Sequence, residues 1–165
     1  MARIMIVGGG CRGRELAARM VADGHAVRIV TRTEAGRAAI EQSGAECWIG
    51  TPDRLATLRG ALDSVTILCW ALGSALGDPA ELAALHSTRL EFFLTQAIDT
   101  TVRGFLYEAR GTSTPAEQLA SGEQIVRTLT ERNSIPAAYL RADPQDRGVW
   151  VDEAAGAVNA LLTRG

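Results

Sequence analysis

Apolar residues in this chain come in short runs, separated by stretches in which they recur at helical spacing. That alternation is the signature of a parallel sheet covered on both faces by its crossover helices. The runs predict strands at Arg3–Val7, Ala26–Thr31, Glu46–Ile49, Val65–Trp70, Arg103–Glu108 and Ala137–Arg141. The intervening periodicity predicts helices at Arg12–Val21, Glu34–Gln42, Pro52–Ala61, Pro79–Ala97, Pro115–Glu131 and Val151–Leu162. With right-handed crossovers, this predicts a doubly wound α/β fold, a six-stranded parallel sheet in the order 3-2-1-4-5-6. Residues 1–165 read as one domain, because even the longer connections, Ala142–Trp150 among them, are too short to hold another.

Several helix starts carry a local signature. Thr114-Pro115-Ala116-Glu117 and Asp78-Pro79-Ala80-Glu81 each combine a capping side chain, a proline in the first turn and a glutamate that closes a capping box. Thr51-Pro52-Asp53 shares the cap and the proline. In the last helix Val151, Ala154, Val158, Leu161 and Leu162 fall on one face, as a sheet-covering helix requires.

Composition narrows the chemistry. Hydrophobic residues make up 47% and charged residues 22%, a globular balance, and the net charge of -2 argues against nucleic acid or an anionic membrane as partner. All 17 basic residues are arginine, so no lysine is available for a Schiff base or a phosphate-binding loop of the Walker type. Cys11, Cys47 and Cys69 are odd in number and widely spaced, and His25 and His86 lie far apart, so neither a disulfide framework nor a metal site is expected. The N-terminus runs straight into glycines instead of forming a signal peptide, and Val65–Leu76 is too short to span a bilayer. The expectation is a cytoplasmic protein.

Gly8-Gly9-Gly10-Cys11-Arg12-Gly13 fits Gly-x-Gly-x-x-Gly between the first predicted strand and the first predicted helix. In that setting Gly8 permits a tight turn, Gly10 lets the backbone approach a pyrophosphate, and Gly13 lets the helix pack on the strand. Free N–H groups at the helix start, including those of Cys11 and Arg12, then face the phosphates. A dinucleotide cofactor is the expected ligand; the bland alternative is a glycine turn that binds nothing.

The second strand bears on which dinucleotide. It ends Thr31-Arg32-Thr33, without the carboxylate that would hold the ribose hydroxyls of NAD. Arg32 would instead meet the 2′-phosphate of NADP with a charge-assisted contact, and Thr31 and Thr33 add hydroxyl donors. The reading leans to NADP and leaves NAD open; the competing one makes Arg32 a solvated loop residue and Thr33 a helix cap. Gly50 and Thr51 after the third strand, with Trp70 and Ala71 at the end of the fourth, complete the expected cofactor contacts.

Gly24-His25-Ala26-Val27-Arg28-Ile29-Val30-Thr31-Arg32 resembles the second strand of the atypical extended short-chain dehydrogenase/reductases, in particular their NmrA-like NAD(P)-binding branch. Ser43-Gly44-Ala45-Glu46 with Ile49-Gly50 is similar to that family's third strand, and Leu58–Leu62 followed by Asp63–Leu68 to its helix and fourth strand. Ile135–Arg141 resembles the sixth strand and Val151–Ala155 the last helix. The resemblance implies a Rossmann domain with an NAD(P) site, and a homodimer through the helices Pro79–Ala97 and Pro115–Glu131. Leu82, Leu85, Leu90, Phe92 and Phe93 also give the first of these more apolar surface than one sheet-facing stripe needs.

The departures from that family concern chemistry. Val7 stands at the first place of its Gly-x-x-Gly-x-x-Gly loop, and Thr51 where an adenine-binding aspartate often follows the third strand. Its catalytic Tyr-x-x-x-Lys is absent: Tyr107 is followed four residues on by Gly111, Tyr139 by Asp143. Glu108-Ala109-Arg110 replaces the serine at the end of the fifth strand, and only Ala142–Trp150 stands where a substrate-binding segment would be. The chain thus resembles a minimal form of the family.

Other residues allow two readings each. Cys11 beside Arg12 is a reactive thiol or a small residue filling the loop, while Cys47 and Cys69 read as core. Trp70 walls the pocket or covers the core. Glu108 and Arg110 orient a substrate or form a surface ion pair, and His86 reads as an interface or surface residue in preference to a general base. The function expected first is an NAD(P)(H)-binding protein, cofactor-binding or redox-sensing, without Tyr/Lys chemistry. The second is a small oxidoreductase completed by a partner subunit, with Tyr107, Glu108 or Arg110 as local candidates. The third is an interaction domain whose site has decayed.

Overall fold

A computed structural model describes residues 1–164. Six strands, β1 (Arg3–Gly8), β2 (Ala26–Thr31), β3 (Glu46–Ile49), β4 (Ile67–Ala71), β5 (Gly104–Glu108) and β6 (Ala137–Leu140), pair in parallel in the order β3-β2-β1-β4-β5-β6. This is the doubly wound sheet that the alternating pattern predicts. The helices are α1 (Gly10–Ala22), α2 (Arg37–Gln42), α3 (Pro79–Leu85), α4 (Thr88–Ile98), α5 (Ala116–Arg132) and α6 (Arg147–Arg164).

Alternation along β1 divides the interior into two layers. Ile4 and Ile6 join a cluster with Leu16 and Met20 of α1, Ile40 of α2 and Trp150, Ala154 and Val158 of α6. Met5 and Val7 face the other way, toward Leu85 of α3, Phe93 of α4 and Val126 of α5. Successive side chains of a strand point to opposite faces, so a strand buried on both reads as a continuous apolar run. An exception is Arg28 on β2, which is buried. Its guanidinium hydrogen-bonds Glu46 at 3.1 Å and the carbonyl of Asp63 at 3.3 Å, and lies 5.4 Å from the centre of the Trp48 ring.

The helices depart from the predicted ones in several places, and α6 begins at Arg147, four residues before the predicted Val151. The helix predicted over Pro52–Ala61 is two single 3-10 turns, Leu55–Thr57 and Gly60–Leu62. There the Thr57 hydroxyl takes the Thr51 N–H at 2.9 Å and donates to the Arg54 carbonyl at 2.7 Å, so side-chain bonds replace helical ones. Glu34–Gly36 is likewise a 3-10 turn ahead of α2.

The long helix predicted over Pro79–Ala97 breaks at His86-Ser87, between α3 and α4. The Trp70 indole N–H donates to the Leu85 carbonyl at 3.0 Å, and Ser87 leaves helical geometry at φ -139° and ψ -98°. Leu82, Leu85, Leu90 and Phe93 are buried within the chain itself, so the apolar surplus that suggested a homodimer reduces to Phe92. At α5 the cap is Pro115, not Thr114, whose hydroxyl is buried and without a partner. At Asp78 the cap half of the box forms, with the Asp78 carboxylate accepting the Glu81 N–H at 2.9 Å.

Candidate functional site

The strand order reverses between β1 and β4, and a ligand crevice in such a sheet lies at the C-terminal ends of the strands there. A cleft of about 510 Å³ occupies that place. The loop from β1 to α1 forms its floor: Gly8, Gly9 and Gly10 all have positive φ, at 90°, 86° and 54°. A Cβ at Gly8 would lie 2.3 Å from the Ala71 carbonyl oxygen, and one at Gly13 would lie 2.8 Å from the Gly8 oxygen. These approaches give Gly8 its turn and Gly13 its helix-on-strand contact.

Gly10 differs, because nothing lies within 4 Å of where its Cβ would be. It lines the cleft, and the first turn of α1 carries no acidic side chain. The leading N–H groups of a helix have no partner inside it. The loop therefore offers an open, donor-lined and electropositive cradle of the kind a pyrophosphate fills.

Of the residues singled out from sequence, Gly8, Gly10, Cys11, Arg12, Thr31, Arg32, Gly50 and Ala71 line this cleft. Gly13 is buried beneath the loop. Thr33 is exposed ahead of the 3-10 turn, and its side chain makes no cap bond. Thr51 uses its backbone and hydroxyl within the turn that follows β3, and does not line the cleft. Trp70 is a core residue, 1% exposed and stacked near Phe93, so the structure takes the second of its two readings. The sequence reading overlooked Pro52 and Leu72–Leu76, of which Leu72, Ser74, Ala75 and Leu76 form the wall after β4. Their signal was the small and glycine-containing stretch Gly73–Gly77 at a strand end.

Two cleft arginines have distinct settings. Arg32 at the end of β2 is half-exposed, and its guanidinium lies 3.4 Å from the Asp53 carboxylate. Arg12 donates to the Pro144 carbonyl at 3.2 Å, lies 5.6 Å from the Trp150 ring centre, and has a buried Nε without a partner.

Beyond the cleft, three residues read as surface or substrate groups are buried. Glu108 is 1% exposed, and its oxygens accept the Gly73 N–H and the Trp150 indole N–H, each at 2.7 Å. Burial raises its carboxyl pKa, and the two hydrogen bonds and nearby Arg12 partly offset that. It does not pair with Arg110, which lies 3.5 Å from Asp143.

His86 is buried rather than at the surface. Its Nε2 lies 3.1 Å from the Leu72 carbonyl, which can only accept, so Nε2 carries the proton and Nδ1 accepts from the Tyr107 hydroxyl at 2.7 Å. Burial lowers the imidazole pKa and raises that of the phenol. Tyr107 is thereby committed to the interior.

Among the thiols, Cys11 is exposed at the cleft, and Cys47 is half-buried where a core position was expected. Cys69 is fully buried, its thiol pushed up to about 12 by desolvation. Among the described residues no cluster of potential ligands could hold a metal ion, and no helix is long and apolar enough to cross a membrane.

No family model matches the chain, and neither does any curated protein. Solved structures do. BdcA from E. coli superposes over 97% of this chain and 89% of its own, with a TM-score of 0.73 and 16% identity. Citrobacter sp. triphenylmethane reductase complexed with NADP(H) superposes over 84% of this chain and 48% of its own, at a TM-score of 0.62 and 20% identity. The UDP-glucose 4-epimerase of Bifidobacterium longum, in complex with NAD+ and UDP, covers 85% of this chain and 52% of its own, with a TM-score of 0.67 and 16% identity. The chain spans about half the length of several of the structures it matches. At these identities the likeness establishes the fold: this chain has a Rossmann-like α/β fold, with its sheet ordered 3-2-1-4-5-6.

Proposed function

We propose that this chain binds a nicotinamide dinucleotide, with a preference for NADP(H), and that it does so without the Tyr/Lys chemistry of the short-chain dehydrogenases it resembles. The observation that carries the reading is the cradle at Gly10: positive φ, open space where a Cβ would stand, and a helix N-terminus behind it. A pyrophosphate fits that donor set, and Arg32, on the same cleft, supplies a cation for a ribose 2′-phosphate. Two of the superposable proteins, solved with NADP(H) and with NAD+, support the same ligand class.

Bound nicotinamide would supply redox chemistry; the chain's own contribution is to hold phosphates. The backbone N–H groups of Gly10 and Cys11 and the guanidinium of Arg32 orient the ligand. Leu72, Ala75 and Leu76 shield one side of the cleft. With no lysine in the chain and the Tyr107 hydroxyl donated to His86, neither half of a Tyr/Lys pair is offered to a substrate. Tyr139, the other tyrosine, lies under Arg127 at 4.2 Å and does not line the cleft.

Calorimetric titration of the purified chain with NADPH, NADP, NADH and NAD tests the reading, with Arg32→Ala alongside. Binding of the phosphorylated pair should weaken in Arg32→Ala by about 1.5–3 kcal/mol, the scale of a charged hydrogen bond, while the other pair changes little. A folded protein that binds none of the four contradicts the proposal. Steady turnover of a carbonyl substrate by the chain alone would contradict its second half.

A further inference from the structure

The cleft is one-sided. It is bounded by the glycine loop, by the ends of β2 and β3, and by the loop after β4; no residue of β5, β6, α5 or α6 lines it. In a sheet of this order a dinucleotide lies across the switch point, its adenosine half toward β2 and its nicotinamide half toward β4 and β5. The available space therefore runs from the adenosine side to the end of β4 and stops short of β5.

The nicotinamide side is filled by the chain itself. Glu108 at the end of β5 joins the Gly73 N–H to the Trp150 indole, both at 2.7 Å. Arg12 leaves the glycine loop to reach the Pro144 carbonyl and the face of Trp150. The loop after β5 is stitched onto the loop after β4. The Ser113 hydroxyl donates to the Ala75 carbonyl at 2.6 Å, and the Thr112 N–H donates to the Ser74 hydroxyl at 3.0 Å. A Cβ on Gly111 would lie 1.8 Å from the Gly73 oxygen, so backbone meets backbone there with no room for a ring between.

We infer that the site recognises the 2′-phosphoadenosine diphosphate half of its ligand, and that a nicotinamide ring attached to that half adds nothing to binding. The inference rests on the dinucleotide-site reading above and narrows it: a ring that finds no contact contributes no affinity, so its oxidation state goes unread. Of the two roles weighed from sequence, nucleotide binding is kept and redox sensing is not. The ligand class is a phosphorylated adenine nucleotide, with the nicotinamide end directed to solvent.

Calorimetry on the full chain with four probes tests this: 2′-phosphoadenosine 5′-diphosphate, NADP, NADPH and nicotinamide mononucleotide. The first three should bind within about fivefold of one another, with no binding of the mononucleotide. A dinucleotide that binds more than fivefold tighter than 2′-phosphoadenosine 5′-diphosphate overturns the inference while leaving the dinucleotide site standing. So does a gap of more than fivefold between NADPH and NADP. No binding by any probe overturns the site itself, and this inference with it.

Discussion

Glu108 accepts the indole N–H of Trp150 at 2.7 Å across 42 residues of sequence, and both side chains are buried. The contact ties the end of β5 to α6, and through Gly73 to the wall of the cleft. Trp150→Phe keeps one aromatic ring but removes the donor and leaves a small cavity, and should cost about 2 kcal/mol or more, the lost hydrogen bond to a charged group plus the cavity. Burial already raises the Glu108 pKa above its unfolded value, so ionising it in the folded state loses stability as pH rises. Without the indole N–H the carboxylate is harder still to form, and the gap between wild type and variant should widen from pH 4.5 to pH 8. Urea unfolding at the two pH values measures it; an equal gap would mean that Glu108 is not ionised in this contact.

Gly8 and Gly10 sit two residues apart, both at positive φ, and should respond to alanine in different ways, Gly8 mainly in stability and Gly10 mainly in binding. Gly8→Ala drives a methyl to 2.3 Å from the Ala71 carbonyl, and should destabilise by about 3 kcal/mol or more through strain and overlap. Gly10→Ala meets nothing, and its φ of 54° costs a side chain about 1–2 kcal/mol. Its methyl projects where the backbone is expected to meet phosphate. Thermal melts should show Gly8→Ala as the damaged protein, and titration should show Gly10→Ala as a folded one with weakened nucleotide binding. Unchanged binding in Gly10→Ala would contradict the cradle.

The fold was legible because a doubly wound sheet writes itself into sequence as buried runs: β2 occupies Ala26–Thr31 as predicted, and β3 Glu46–Ile49. The glycine loop was legible because only glycine tolerates its φ values and close approaches. The helix break at His86-Ser87 left no local mark, for no glycine or proline stands there. Long-range bonds accompany it: the Trp70 indole on the Leu85 carbonyl and the His86 ring between Leu72 and Tyr107. From sequence Glu108 reads as a substrate-orienting or surface-paired charge for a similar reason, because the partner that makes its burial tolerable comes 42 residues later. Charged side chains default to solvent in a sequence reading, and only the assembled structure shows the exceptions.

His86 gives the opposite pH dependence from Glu108. Its folded pKa is lowered from 6.5 by burial, so on acidification the unfolded chain takes the proton first and stability falls. His86→Gln should cost about 2 kcal/mol at pH 7.5, for two buried hydrogen bonds disturbed. Because glutamine does not titrate, the stability difference from wild type should narrow at pH 5.5. Denaturant unfolding of both proteins at the two pH values gives the comparison, and a gap that grows on acidification would mean that the buried imidazole is charged.

The central claim is that a nucleotide's phosphates sit on the loop between β1 and α1, and backbone amide chemical-shift mapping tests it most directly. On addition of NADPH to 15N-labelled protein, the account predicts the largest amide shifts at Gly9, Gly10, Cys11 and Arg12, with a second group at Thr31 and Arg32. Little change should appear in α5, on the far side of the sheet from α1. Shifts concentrated elsewhere, or none at millimolar NADPH, would contradict it.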